Sequence, residues 1–285
     1  MAGIDGPLAP VDWAAPWFRP WAVAGCAVWR VATSQGARAG TVAAALQAQA
    51  PAALPVRFVA AAAVPADRAY EAFIARHRAV PTRDNLHDAF NGLAWLRLPR
   101  AKARLNALQA AEIARDGVRA TRGPVRDAAT VFDENAVLLH APDALWQALA
   151  ARRWSELFGF LRPLWRQASV LVFGHAALEK LVTPYKGITG HAWRVAPGFD
   201  PVGDLDALDA WLADDLTAEK LAAKPFAPLP LLGVPGWWAP NEVSAFYDDA
   251  QVFRPVRRRA GGPGGAAVTA SRRADPPADG PERAI

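Results

Sequence analysis

Hydrophobic and polar positions follow a helical period through much of the chain. Leu86, Phe90 and Leu93 recur at spacings of four and three residues, which predicts a helix that begins near residue 86. Pro99 suits the first turn of a second helix, and Gly117 suits its end. The remaining predicted helices cover residues 40–50, 66–78 (capped by Asp67), 143–166 with interruptions at Gly159 and Pro163, a segment starting near His175, 204–222, and a short segment around 242–246.

Short apolar runs without a helical period predict strands over residues 56–59, 169–173 and 188–195. Two further runs, 129–132 and 136–139, flank the polar tripeptide Asp133-Glu134-Asn135. This pattern predicts a β-hairpin with the tripeptide in its loop. The fold class that follows is α+β: a small mixed or antiparallel sheet with packed helices, helix-rich overall.

The composition is that of a folded protein. The 285 residues are 52% hydrophobic and 21% charged, which excludes a fully disordered chain, and no apolar run approaches the roughly 18–20 residues of a membrane helix. We expect one α+β domain over 1–256, whose residues 1–35 form a Trp/Pro-rich arm, and a disordered Gly/Pro/Arg tail over 257–285. Cys26 is the sole cysteine, so an intramolecular disulfide is excluded. It lies in an apolar stretch and is expected to be buried. We expect a cytoplasmic protein.

The net charge of +5 is mostly a property of the tail, which holds six arginines and three acidic residues. The rest of the chain is therefore only +2. A nearly neutral body argues against nucleic acid as a partner, except for weak binding through the arginines of the tail. The sequence does not indicate an oligomeric state.

The densest polar cluster lies at the start of the helix predicted near residue 86. Asp84, His87, Asp88 and Asn91 follow the spacing i, i+3, i+4, i+7, which places them on one helix face. Two carboxylates, an imidazole and an amide can bind a divalent metal or transfer protons. The same residues can equally serve as helix caps and polar partners, with Thr82 as a further capping candidate.

Two further polar clusters lie after the strand predicted over 169–173, in the following helix and in the loop and strand after it. His175 and Glu179 are four residues apart on one helix and could share a metal, or His175 could cap the helix while Glu179 forms an ion pair. Tyr185 and Lys186 precede Gly187 in a loop that could bind an anion. His191 lies on the strand predicted over 188–195, where it is either a ligand or a residue of the sheet.

Four strings of the sequence resemble one protein family. They are TRDNLHDAFNGLAWLRLPRAKARLNALQAAEI, VFDENAVLL, FGHAALEKLVTPYKGITGHAW and LGVPGWW. They resemble the proteobacterial family of domain of unknown function 3025, over about residues 15 to 256. The resemblance implies a single bacterial domain without an established activity, and it carries over no catalytic residue. Ala89 and Gly190 depart from the family pattern, which implies slightly different packing there.

The leading functional hypothesis is a divalent-metal-dependent hydrolase that acts on a small anionic, phosphoester-like substrate. The predicted ligands of zinc or manganese are His87, Asp88, His175, Glu179 and His191. The predicted catalytic residues are His87, Asp84 and Glu179, and the predicted substrate-binding residues are Arg83, Lys186, Tyr185 and Asn91. The alternative is a non-catalytic module that binds a small ligand or a protein, with the same polar groups as a structural network. Metal-free acid–base chemistry is a third possibility.

Overall fold

A computed structural model describes residues 8–34, 39–64, 69–117 and 123–255. The helices are α1 Ala22–Ser34, α2 Thr41–Gln49, α3 Tyr70–His77, α4 Leu86–Arg97, α5 Pro99–Asp116, α6 Pro124–Asn135, α7 Asp143–Ala150, α8 His175–Leu181, α9 Leu205–Asp215 and α10 Ala218–Ala222. The strands are β1 Arg57–Ala60, β2 Ala79–Thr82, β3 Ala136–His140, β4 Ser169–Val172, β5 Thr189–Arg194 and β6 Ala227–Pro230. Short 3-10 or π turns fill several of the connections.

The strands form two small sheets. The larger one has the order β4-β3-β5-β6, with β3 antiparallel to β4, parallel to β5, and β5 antiparallel to β6. The smaller one is the parallel pair β1-β2. Pro228 and Pro230 lie in β6, which is an edge strand, where a missing N–H is tolerated. The predicted class, α+β with a small mixed sheet and many helices, is confirmed.

The predicted hairpin over 129–139 is wrong, because its first half is the end of α6. Pro124 occupies the first turn, where its missing N–H costs nothing, and Asp127 lies in the same turn. Ala128, Ala129 and Phe132 then face the core at helical spacing. The polar tripeptide that was expected in a hairpin loop is consequently the last turn of a helix.

Other elements differ from the prediction in length. The segment 143–166 is helical only through α7 and continues as a π turn at Glu156–Phe160 and a 3-10 turn at Arg162–Gln167. The segment 204–222 divides into α9 and α10, because Thr217 caps a new helix through its hydroxyl. The expected capping residue Asp67 and the tail over 257–285 lie outside the described residues. The domain limit at 256 stays a prediction.

The N-terminal arm belongs to the hydrophobic core. Phe18 stacks on Phe90 of α4 with ring centroids 5.7 Å apart, and Trp29 lies 5.4 Å from the same ring. Buried apolar side chains from Leu8 to Phe253 form one continuous cluster. Cys26 is exposed, contrary to the prediction, because α1 turns Trp29 and its other inward residues to the core and Cys26 away from it.

The antiparallel pair β3-β4 positions the ends of two helices. The chain enters β3 directly from α6 and leaves β4 directly into α8, so the end of α6 meets the start of α8. The amides of Phe173 and Gly174 both donate to the carbonyl of Ala136. A Cβ on Gly174 would lie 2.4 Å from the backbone of Glu134 and Asn135, so this crossing requires glycine.

Candidate functional site

A polar cavity of about 680 Å³ is lined by residues of α3, α4, α5, α6 and α8. His87 on α4 and His175 on α8 lie on its wall, and Asp133 at the end of α6 lies beside them. The meeting of α6 with α8, described above, brings Asp133 and His175 together. The packing of α4 against α8 adds His87.

The two imidazoles contact each other through their Nε2 atoms. His87 Nε2 and His175 Nε2 are 3.0 Å apart, and the ring planes are inclined at 84°. The ring centroids are only 4.4 Å apart, which is closer than a straight N–H···N hydrogen bond between the Nε2 atoms allows. At least one of the two rings is therefore turned away from the line that joins the Nε2 atoms.

A carboxylate lies behind each imidazole. Glu179 Oε2 is 2.9 Å from His87 Nδ1. Asp133 Oδ2 is 3.8 Å from His175 Nδ1, which is buried and has no hydrogen-bond partner in the described part of the chain. A carboxylate on the Nδ1 side favours the tautomer with a proton on Nδ1 and a lone pair on Nε2.

Burial sets the protonation of the inner pair. It lowers the pKa of His175 to about 4; Asp133 opposes this shift, and Lys102 and His87 add to it. Burial alone would raise the pKa of Asp133, but Lys102 and His175 together bring it below its usual value. The Lys102 ammonium donates to Asp133 Oδ1 and to Asn91 Oδ1, the latter at 2.7 Å. Asp133 is thus held as a carboxylate beside a neutral His175.

The cavity also contains a second set of polar groups. Burial, followed by the charge of Asp133, raises the pKa of Glu71, although a hydrogen bond from Asn106 works the other way. Arg126 and Thr130 of α6 line the cavity as well. Two carboxyl groups in one cavity, Asp133 and Glu71, are therefore pushed toward opposite protonation states.

Several of the predicted site residues come together here. His87, Asp88, Asn91, His175 and Arg83 line the cavity. Glu179 is bonded to His87. Both oxygens of Asp88 are occupied, however, because Arg83 donates to Oδ1 through Nη2 at 2.8 Å and to Oδ2 through its backbone amide at 2.7 Å. Asn85, not Thr82, caps α4 by accepting from the amide of Asp88.

The predicted catalytic role of Asp84 is not supported by its position. Its carboxylate accepts from the amides of Gly40 at 2.7 Å and Val42 at 2.8 Å, so both oxygens stabilise the start of α2. The helix α4 begins only at Leu86, which leaves Asp84 outside the face formed by His87, Asp88 and Asn91.

Three more predicted residues do not line the cavity. The ring of His191 lies in β5 and packs edge-on against Phe226 at 5.7 Å. Lys186 is paired with Asp249 at 3.1 Å and lies over the ring of Phe246. Tyr185 is exposed on the surface. The loop 184–187 therefore does not contribute the anion contacts expected of it in this cavity.

The family of the chain is evident from comparison with known proteins. Residues 56–257 match the family described as Protein of unknown function (DUF3025). The chain belongs to this family. The match begins well after residue 15, where the resemblance was expected to start, and it ends within one residue of the expected end. Comparison with curated proteins and with solved structures finds no match.

The described residues of this DUF3025 member offer two imidazole nitrogens to a metal. Within the described ranges, no group of three or more histidine, cysteine, aspartate or glutamate side chains is placed to hold a metal ion together. The predicted five-residue ligand set is therefore not assembled, since Asp88 is bound to Arg83 and His191 lies elsewhere. None of the helices in the part of the chain that is described is both long and apolar enough to cross a membrane.

Sequence reasoning pointed to Arg126 as one of several basic residues that could line a phosphate site, but it missed Thr130 and Asp133 of α6. Arg126, Thr130 and Asp133 are spaced by four and three residues and line the cavity from one helix face. The spacing was visible in the sequence, but the run Ala-Thr-Val-Phe before Asp133 favoured a strand. Glu71 carried no comparable signal, because its neighbours in the cavity are distant in sequence.

Proposed function

We propose that this member of the DUF3025 family is a divalent-metal-dependent hydrolase whose metal is bound by His87 and His175. One observation carries the proposal: the two Nε2 atoms lie 3.0 Å apart, and a carboxylate lies behind each Nδ1. Histidines that bind a metal usually donate their other ring N–H to a carboxylate or carbonyl. Glu179 occupies that position beside His87 at 2.9 Å, and Asp133 lies 3.8 Å from His175 Nδ1.

The tautomers explain why a cation belongs at this point. With a proton on each Nδ1, the two Nε2 lone pairs face each other across 3.0 Å, which is repulsive unless a positive charge lies between them. A metal with nitrogen ligands at about 2.0–2.1 Å accommodates two Nε2 atoms about 3 Å apart. A shared metal ion would also suit the inclination of the two rings, because it would lie beside the line that joins the two Nε2 atoms.

The donor set favours zinc over manganese. Imidazole nitrogen is a usual ligand of zinc, whereas manganese prefers oxygen ligands. Two protein ligands leave at least two positions of a tetrahedral site open for water and substrate. A zinc ion held by His87 and His175 would supply a bound water of lowered pKa, and thus a nucleophile, at neutral pH.

The chain's own residues have separate roles in this proposal. Glu179 orients His87 and fixes its tautomer, and the charge of Asp133 beside His175 favours a proton on Nδ1 there. Glu71 lines the same cavity with a raised pKa, which favours the neutral acid that could protonate a leaving group. A proton shared between the imidazoles is the alternative cation, and it corresponds to metal-free acid–base chemistry.

The test is hydrolysis by chelator-treated protein with and without added zinc. A panel of phosphate, carboxylate and amide esters supplies the substrates. We expect zinc to restore activity to the wild type and to H77Q. This variant is the matched control, because it replaces an exposed histidine on α3. H87Q and H175Q should stay inactive at every zinc concentration. Activity that is independent of zinc but lost in both variants would overturn the metal and support the shared proton.

A further inference from the structure

Arg126 lines the cavity, where its charge acts on Glu71 without an ion pair between the two side chains. Its Nε is buried and makes no hydrogen bond. In the described part of the chain no carboxylate forms an ion pair with it. Arg83 also lines the cavity, but its side chain is committed to Asp88 through Nε and Nη2. Arg126 is thus the arginine of this cavity whose fork is available to a ligand.

An unpaired buried donor has a cost that a ligand can remove. A buried N–H without a partner loses its hydration and gains nothing in return. The planar fork of arginine matches the oxygens of a phosphate or carboxylate, and such charge-assisted contacts are about twice as strong as neutral ones. The cavity therefore presents an anion-binding donor that the fold itself leaves unsatisfied.

The groups near Arg126 suit an anion with several oxygens. The Thr130 hydroxyl lies one turn further along α6 and donates to the Arg126 carbonyl at 2.9 Å, with Gln109 Oε1 3.3 Å away. A hydroxyl can turn from such a bond to donate to a ligand. Glu71 lines the same cavity. Burial raises the pKa of its carboxyl, against the opposing effects of Asn106, Lys102 and Arg126, and so favours the neutral form that can donate a hydrogen bond.

We propose that Arg126 anchors a phosphate group, so that the substrate of this protein is a phosphorylated small molecule. A phosphate offers three terminal oxygens to donors that approach from α3 and α6, whereas a carboxylate offers two. The volume of about 680 Å³ exceeds what a phosphate alone needs and leaves room for an organic group. That the bound molecule is a substrate rests on the proposed hydrolase activity. Phosphate binding itself requires no metal.

The test is calorimetric titration of inorganic phosphate into the chelator-treated full chain. We expect one site per chain in the wild type and affinity weaker by about 10- to 100-fold in R126M, because charge-assisted hydrogen bonds are lost. R166M removes an exposed arginine beside a different cavity and is the matched control. It should bind phosphate like the wild type.

Several results would overturn the assignment. The wild type could fail to bind phosphate, or R126M and R166M could lose phosphate affinity equally. The site could also be saturated by acetate and show no response to phosphate. Zinc titration of R126M separates this proposal from the previous one. If R126M still binds zinc but no longer binds phosphate, both proposals are supported. If the wild type binds phosphate but takes up no zinc, the phosphate site stands and the metal-dependent hydrolase is contradicted.

Discussion

At the scale of single residues, the two imidazoles depend on the charges behind them. Glu179 contacts His87 from outside the cavity, at 2.9 Å, with 40% of its side chain exposed. Asp133 contacts His175 from the interior and is itself held by Lys102. The inner histidine is therefore positioned by a buried network, and the outer one by a contact that solvent can reach.

Glu179→Gln should weaken zinc binding without unfolding the protein. The amide keeps an acceptor for His87 Nδ1 but removes the charge, and loss of such an outer partner typically costs about 10- to 100-fold in metal affinity. A competition titration with a zinc indicator measures this. Glu156→Gln, which breaks an exposed pair with Arg153, should change nothing. Equal affinities for wild type and Glu179→Gln would contradict the role of Glu179.

Glu71 should make the protein less stable as the pH rises. Its pKa in the folded chain lies above the ordinary value of 4.5, so the folded state retains the proton after the unfolded state has released it. The stability contribution is complete below pH 4.5 and is lost as the pH rises through the raised value. We expect urea unfolding to show that the free energy of unfolding of the wild type, relative to that of Glu71→Gln, is lower at pH 8 than at pH 5. A difference that is constant with pH would contradict the shifted pKa.

At the scale of elements, the site depends on the crossing of α6 and α8. Gly174 is the point at which α8 leaves β4 and passes the last turn of α6. Because the neighbouring atoms are backbone, an added Cβ cannot be accommodated by a side-chain rotation. The same crossing fixes Asp133 against His175, so the packing of two helices determines the geometry of the proposed ligands.

Gly174→Ala should destabilise the fold by at least about 2 kcal/mol, since overpacking against backbone forces the helices apart. Gly159→Ala is the control, because a Cβ there meets no atom within 4 Å. Chemical denaturation of both variants measures the difference. Similar stability for the two variants would show that the α6–α8 crossing is not tight.

The elements also show which parts of the site the sequence could predict. Helical spacing correctly grouped His87 with Asp88 and Asn91, because all three lie within α4. The expectation for Asp84 was wrong because Asn85 caps α4, so the helix starts two residues after Asp84, whose carboxylate bonds the distant amide of Gly40 instead. Asp133 failed because its segment has β-branched residues at positions that tertiary packing makes helical.

At the scale of the whole molecule, the described body extends beyond the segment that matches the family. The match covers 56–257, whereas Phe18 and Trp29 cover Phe90 on the helix that carries His87. The sequence predicted a Trp/Pro-rich arm over residues 1–35. It could not predict that the arm buttresses α4, because a pairing between such distant aromatic residues leaves no local pattern.

Removal of residues 1–55 should therefore prevent cooperative folding. It exposes Phe90 and its neighbours on α4, and the loss of a buried aromatic contact alone costs about 3–5 kcal/mol. Thermal unfolding followed by circular dichroism at 222 nm compares this variant with the full chain. A sharp transition near that of the full chain would contradict the structural role of the N-terminal segment.

The most direct test of the account is zinc titration of the full chain after removal of metals, with the stoichiometry checked by elemental analysis. The account predicts one zinc ion per chain in the wild type, and none in H87Q or H175Q. Asp84→Ala should keep the zinc while losing about 0.5–2 kcal/mol of stability, because its carboxylate caps α2. No zinc bound by a folded wild type, or full binding by a folded H175Q, would contradict the histidine pair as a metal site.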